Sequence, residues 1–281
     1  MRILLTGRDG QVGWELARTL APLGEIIATD RAALDLADAG AIRRVVREAK
    51  PELIVNAAAY TAVDQAEAEP DLAMRINGAA PGVLADEAKR LGALLVHYST
   101  DYVFDGSGKR AYAEGDATNP INAYGRSKLA GEQAIAASGA RHLILRSSWV
   151  YGRRGRNFLL AILQRAQSGA PLRVVDDQVG APTWCRQIAE ATARIVAGGS
   201  GAGGICNLSA GGETTWYGFA RAIIALSGIA AEVKPITSAE YPTAAARPRY
   251  SVLDCARLSR EFGISLPHWR DGLARCMAEP V

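Results

Sequence analysis

The chain has 281 residues, 49% of them apolar, and carries 32 Lys and Arg against 29 Asp and Glu for a formal charge of +3. That length suits one large α/β unit, or a unit with a smaller appendage, around an ordinary core. Charges of both signs are interspersed, which implies neither nucleic acid nor a membrane surface as partner.

Arg2–Thr6 is a short apolar run that leads into Gly7-Arg8-Asp9-Gly10-Gln11-Val12-Gly13 and then a helical pattern over residues 14–20. Strand, glycine turn and helix in that order let backbone N–H groups approach a pyrophosphate at a helix N-terminus. A second predicted strand, Glu25–Thr29, ends in Asp30, near the usual distance for an acid that binds the adenosine ribose. Asp30 favours NAD, while Arg8 and Arg31 nearby offset it, so NADPH and NADH both stay open. Asp35 and Leu36 begin the next turn, where a side chain could approach the adenine.

A helix is expected over residues 41–49 and a third strand over 51–56, running into Ala57-Ala58-Ala59-Tyr60, whose small side chains permit close approach of a ligand. Residues 70–91 read as one long helix. Residues 93–98 form a fourth predicted strand that delivers Ser99-Thr100-Asp101 to its C-terminal end, where open α/β sheets bind ligands. His97 inside this strand is expected to be structural. The loop 102–120 is long for a simple connection and is therefore expected to be functional.

Tyr124 and Lys128 follow, four residues apart, so on a helix both project from one face. A neighbouring positive charge lowers a phenol from its usual pKa of about 10 toward a range where it can deliver a proton. A fifth strand over residues 143–146 ends at Ser147-Ser148-Trp149. Strands alternating with helices to this point predict a Rossmann-like, doubly wound parallel sheet.

Beyond Gly152 the pattern loosens into a helix over 157–167, a strand over 172–175, a helix reaching Val196, the glycine-rich run 198–204 expected as a surface loop, a helix over 216–226, an extended 232–236 and a terminal helix. The expected division is a dinucleotide-binding domain over 1–150, completed by about 178–208, and a mainly substrate-binding α/β lobe over 151–281. Cys185, Cys206, Cys255 and Cys276 lack the spacing of a zinc site or disulfide framework. With no signal-peptide pattern and no apolar run of about 18 residues, a cytoplasmic location is expected.

The glycine turn, the acid after the second strand, Ser99-Thr100 and Tyr124-x-x-x-Lys128 together resemble the extended short-chain dehydrogenase/reductase superfamily. The phrases Asn56-Ala57-Ala58-Ala59-Tyr60, Ser99-Thr100-Asp101-Tyr102-Val103-Phe104-Asp105-Gly106, Arg146-Ser147-Ser148-Trp149, Gly180-Ala181-Pro182-Thr183 and Arg247-Pro248 narrow the resemblance to the dTDP-4-dehydrorhamnose reductase family, over nearly the whole length.

The resemblance implies NADPH- or NADH-dependent reduction of the C4 ketone of dTDP-4-dehydro-β-L-rhamnose. Thr100 would donate a hydrogen bond to the carbonyl oxygen, Tyr124 would be the general acid, and Lys128 would bind the nicotinamide ribose and lower the tyrosine pKa. Gly7, Gly10, Gln11, Val12, Gly13, Asp30, Asp35, Leu36, Ala57, Ala58, Ala59 and Tyr60 would hold the cofactor. Asp101 and Trp149 would line the hexose pocket, with Gly180, Ala181, Pro182, Thr183 and Arg247 near the nucleotide.

Two departures limit the transfer. Arg186 stands where some relatives carry an acid, so no metal is expected at an interface through Glu15, and a homodimer stays open. Arg249-Tyr250 replaces the usual x-Asn before Ser251, leaving the nucleotide contacts open. The alternatives are another nucleotide-sugar ketoreductase or epimerase on this scaffold, and a non-catalytic regulatory subunit.

Overall fold

A computed structural model describes residues 1–199 and 203–279. Five strands, β1 (Arg2–Thr6), β2 (Glu25–Thr29), β3 (Leu53–Asn56), β4 (Leu94–Thr100) and β5 (His142–Ser147), are joined by a sixth, Gly204–Asn207. All pair in parallel, in the order sixth-β5-β4-β3-β1-β2. Ile3, Leu4, Leu5, Ile54, Val55, Leu95 and Val96 are buried, as strands covered on both faces require.

Helices α1 (Gln11–Thr19) and α2 (Ala39–Ala49) open the two opposite layers. One core joins Leu5 and Val55 with Leu16 of α1 and Ile188 of the helix Cys185–Gly198, and the other joins Leu4 and Ile54 with Ile42 and Val46 of α2 and Leu84. The chain steps outward from β1 to β2 and then returns to place β3 on the other side of β1. That reversal opens a crevice at the C-terminal ends of β1 and β3, where such sheets receive ligands.

The long helix expected over residues 70–91 is interrupted. Pro70–Ala73 and Ala80–Leu91 are α-helical, and a π-helical turn, Met74–Ala79, lies between them. Such turns re-aim side chains, and this one turns Asn77 inward, where it is 1% exposed. It packs against the helix Ala123–Ser138 at Gly131, where a β-carbon would stand only 2.1 Å from the Asn77 carbonyl oxygen. α1 begins at Gln11, three residues earlier than the periodicity suggests. Of the glycine-rich run 198–204, Ser200, Gly201 and Ala202 lie outside the described residues, and Gly204 begins the sixth strand.

A second, smaller core gathers Tyr151, Leu159, Phe219, Trp269 and Leu273. Around it Leu172–Val175 and Val233–Ile236 pair in parallel, flanked by the helices Phe158–Gln167, Trp216–Ser227 and Trp269–Ala278. No helix among the described residues is long and apolar enough to cross a membrane.

Arg146 of β5 and Glu132 of the Tyr124 helix are each 2% exposed and pair through bonds of 2.8 and 2.6 Å. Arg146 also donates to the Glu114 carbonyl, tying the 102–120 loop to the sheet. Removing one partner strands the other charge, so Arg146→Leu is expected to cost about 3–5 kcal/mol in urea unfolding. Adding Glu132→Leu is expected to recover most of that loss, and a double variant as weak as the single one would deny that the stranded charge is the cause.

Candidate active site

The turn after β1 is shaped by close backbone approach. Gly7 has φ +73°, and a β-carbon there would lie 2.7 Å from the Ala58 nitrogen at the exit of β3. A β-carbon at Gly13 would lie 2.0 Å from the Gly7 carbonyl oxygen, so Gly13 acts in helix-to-strand packing and does not line the cleft. Gly10 precedes α1 without a side-chain cap, leaving the first N–H groups of that helix free for an anion.

From this turn a cleft of about 540 Å³ runs along the sheet ends. Gly7, Gly10, Gln11 and Val12 form one end, and Asp30, Asp35 and Leu36 line the side next to it. Ala57, Ala58, Ala59 and Tyr60 make one wall, and Tyr124 and Lys128 close the far end.

Asp30 accepts from the Ala33 N–H and from Arg8, each at 2.8 Å. The backbone donor first, and Arg8 with it, hold its carboxyl below the usual range. The wall is clamped by Asn77, which accepts from the Tyr60 N–H at 2.8 Å and donates to the Tyr60 carbonyl at 2.9 Å and to Ser127 Oγ at 3.0 Å. Ser99 Oγ and Ser147 Oγ, both buried in residues that line the cleft, find no hydrogen-bond partner among the described residues. Two unspent hydroxyls, an uncapped helix start and a glycine cradle together fit a dinucleotide.

The Tyr124 helix starts where Asn122 caps it, accepting from the Gly125 N–H at 2.7 Å and donating to the Ala246 carbonyl at 2.8 Å. Tyr124 therefore sits in its first turn and Lys128 one turn on. The expected lowering of the phenol by this amine does not occur here. Lys128 curls toward β4, where Nζ donates to the Tyr98 carbonyl at 2.6 Å and meets His97 Nε2 at 3.2 Å. Burial pushes the phenol up to about 12, eased by a hydrogen bond with Thr100, while burial lowers Lys128 to about 8. A phenol held there keeps its proton through the neutral range, as an acid must.

Thr100 Oγ1 donates to Asp101 Oδ1 at 3.1 Å. Asp101 is 2% exposed and also accepts from Ser251 at 2.6 Å and Ser148 at 3.2 Å, so it stands behind Thr100 and lines neither large cavity.

A second cavity of about 850 Å³ is lined by Asp64, Tyr102, Phe158, Trp216, Arg247 and Arg249, among others. Tyr102 meets Tyr124 edge-on, ring centres 5.9 Å apart, so one aromatic pair bridges the two cavities. Arg247 grips Asp64 through bonds of 2.7 and 2.6 Å. Trp149 takes the left-handed conformation, φ +46°, and stacks on Trp216 with ring centres 3.5 Å apart. Its ring covers Gly180, where a β-carbon would lie 2.4 Å away.

Ala181, Pro182 and Thr183, expected beside the nucleotide, are instead buried and line neither cavity. Thr183 donates to the Ala181 carbonyl at 3.0 Å and accepts from the Ala210 N–H at 3.1 Å, so the segment braces the platform beneath Trp149.

One protein-family model, described as the RmlD substrate binding domain, matches residues 1–281. A dTDP-4-dehydrorhamnose reductase of Burkholderia thailandensis is 46% identical, with 99% of each chain covered. The crystal structure of a Clostridium acetobutylicum dTDP-4-dehydrorhamnose reductase superposes with a TM-score of 0.95 at 38% identity, covering 99% of this chain and 98% of that one. A Bacillus anthracis dTDP-4-dehydrorhamnose reductase, solved in complex with NADP, gives 0.95 at 35% identity with 99% of each chain covered. This chain belongs to the dTDP-4-dehydrorhamnose reductase family.

Within that family frame, Arg186 pairs with Glu15 at 2.9 Å and with Glu279, a guanidinium lying between two carboxylates. No group of three or more His, Cys, Asp or Glu positioned to hold a metal occurs among the described residues. Several site residues escaped the sequence. His97, expected to be structural only, touches Lys128. Asn77 was hidden in a helix, while Ser148, Ser251, Tyr102 and Trp216 reach the site from separate segments. Ser148, Tyr102 and Ser251 lie inside recognised phrases, which could have drawn attention to them.

Burial raises Asp101 from 3.8 to about 6, against the hydroxyls of Ser251, Thr100 and Ser148, which lower it. The folded protein thus keeps a proton that the unfolded chain releases, and the resulting stability is lost as pH rises from about 4 through about 6. Asp101→Asn has no such proton. Urea unfolding across this window is expected to show wild type losing stability relative to the variant, and a constant difference would mean an ordinary carboxylate.

Proposed function

We propose that this chain reduces the C4 ketone of dTDP-4-dehydro-β-L-rhamnose to give dTDP-β-L-rhamnose, using NADPH or NADH. The observation that carries this is the placement of Tyr124 at the end of the glycine-turn cleft and against Tyr102, which lines the second cavity.

Gly7, Gly10, Gln11 and Val12 would hold the pyrophosphate, Asp30, Asp35 and Leu36 the adenosine end, and the wall 57–60 with Lys128 the nicotinamide end. When bound, the reduced nicotinamide supplies the hydride. Thr100 turns its hydroxyl from Asp101 to the carbonyl oxygen and orients it. Tyr124 gives that oxygen its proton as negative charge develops, a contribution of typically about 10²- to 10⁴-fold.

Trp149 on Trp216 offers a flat apolar surface to the hexose, and Arg247 and Arg249 meet the charged nucleotide portion. Closing the cavities around the sugar excludes water from the transfer. We also assign residues 1–150, with the segment about 178–208, to dinucleotide binding and the remainder mainly to the substrate. A cytoplasmic location completes the proposal.

Tyr124→Phe is expected to bind cofactor normally and to lose at least about 100-fold in turnover, since only the transferable proton is removed. Nicotinamide oxidation followed with dTDP-4-dehydrorhamnose and each reduced cofactor checks both points. Near-normal turnover by the variant would remove Tyr124 from its role, and no oxidation by wild type with either cofactor would remove the activity.

A further inference from the structure

The first cavity is lined by the carboxylates of Asp9, Asp30 and Asp35 and by the cations of Arg31, Lys128 and Arg156. Arg8 already serves Asp9 and Asp30, and Lys128 is spent on the Tyr98 carbonyl. Arg156 is exposed and, among the described residues, has neither a carboxylate nor a carbonyl partner.

Its place is set by its two neighbours in the chain, both of which touch Gln11. Gly155 takes the left-handed conformation, φ +71°, and a β-carbon there would stand 3.5 Å from Gln11 Cγ. Asn157 donates through Nδ2 to Gln11 Oε1 at 2.9 Å and to the carbonyls of Gly152 and Arg154 at 3.0 and 3.1 Å. Its Oδ1 accepts from the Leu160 N–H at 3.1 Å, so the same side chain caps the helix Phe158–Gln167. Arg154 lies over the Trp14 ring, 3.6 Å from its centre, and a β-carbon at Gly152 would meet Cys185 Sγ at 2.5 Å. The segment 152–156 is therefore fastened across the first turn of α1, and the helix that follows it lines the second cavity with Phe158, Ala161, Ile162 and Arg165.

Gln11 is the first residue of α1, which has no side-chain cap and no acid in its first turn. The leading N–H groups of a helix carry partial positive charge, so a cation is favoured at the opposite end and repelled at this one. Two guanidinium groups are nevertheless held here. The indole face of Trp14 accommodates Arg154. Nothing in the chain offsets Arg156. An anion in the cleft would meet helix N–H groups on one side and a planar fork of five donors on the other, a combination suited to phosphate oxygens.

We propose that residues 152–156 form a strap across the pyrophosphate of the bound dinucleotide and that Arg156 is a cofactor-binding residue, closing from the substrate side the anion site that α1 opens. The proposal rests on the reading of this cleft as the cofactor site. It adds a cation to the backbone contacts of the glycine turn, and it makes Asn157 the positioning residue that keeps the strap on Gln11.

The test is titration of the full chain with NADH and with NADPH, without sugar nucleotide, followed by nicotinamide fluorescence. Arg156→Gln is expected to weaken both cofactors by the same factor, at least about tenfold, because both carry the pyrophosphate. Arg156→Lys keeps the charge but loses the fork, and is expected to fall between the two. Unchanged binding by Arg156→Gln would overturn the proposal. A loss confined to NADPH would also overturn it, since Arg156 would then be reading the 2′-phosphate. Thermal unfolding of Arg156→Gln without cofactor is expected to match wild type, as the side chain has no partner to lose; a lowered midpoint would mean that Arg156 holds the fold and not the cofactor.

Asn157→Ser provides a second arm. Serine still caps the helix but cannot reach Gln11, Gly152 and Arg154 together, so it releases the strap and spares the helix start. Its loss of cofactor affinity is expected to be of similar size, and the double variant with Arg156→Gln is expected to lose little more than either single one. Fully additive losses would mean that Asn157 acts apart from Arg156 and would sink the strap. Binding of neither cofactor by wild type would fail the reading of the cleft itself, a result distinct from equal binding by wild type and Arg156→Gln.

Discussion

Lys128 is buried to 2% exposure, so its amine needs partners, and most of the site follows from where its two contacts lie. The Tyr98 carbonyl and the His97 ring are the two partners, both on β4, so the helix that carries Lys128 must lie against the C-terminal half of that strand. That helix is held there by the Asn122 cap, by the close approach of Gly131 to the π-helical turn, and by the buried pair of Glu132 with Arg146. Tyr124 inherits its place from these three supports. Burial raises its phenol to about 12, so it holds its proton through the neutral range.

The cleft wall over residues 57–60 depends on the same supports from the other side. Asn77 in the π-helical turn clamps Tyr60 and reaches Ser127 on the Tyr124 helix, so the cleft wall and that helix share one side chain. At the opposite end, Gly7 and Ala58 approach too closely for any side chain, which joins the glycine turn to that wall. A dinucleotide placed there would therefore meet a surface fixed at both ends. Pre-organisation of this kind lowers the cost of bringing donor and ketone together.

The substrate side is built by different physics. Trp149 holds a left-handed backbone conformation that a bulky residue rarely adopts, and it persists because stacking on Trp216 and contact with Gly180 over-determine it. Ala181, Pro182 and Thr183 are buried and brace that platform from beneath.

The first five strands with their helices, the glycine turn with Asp30, and the pair Tyr124 and Lys128 were legible in the sequence, because each depends on local periodicity or on spacing within one element; the sixth strand, Gly204–Asn207, was not. The family phrases were legible for the same reason, as short contiguous strings. What the tertiary structure alone decided were contacts between residues distant in the chain. These include Ser251 on Asp101 across 150 positions, Trp216 on Trp149, the interruption that turns Asn77 inward, and the line from Thr6 through Asn56 and His97 to Lys128. Spacing along a chain says which face a side chain shares with its neighbours. It does not say which strand lies alongside, and so it could not show that a histidine inside β4 would meet the lysine, or that burial would outweigh charge in setting the phenol's proton.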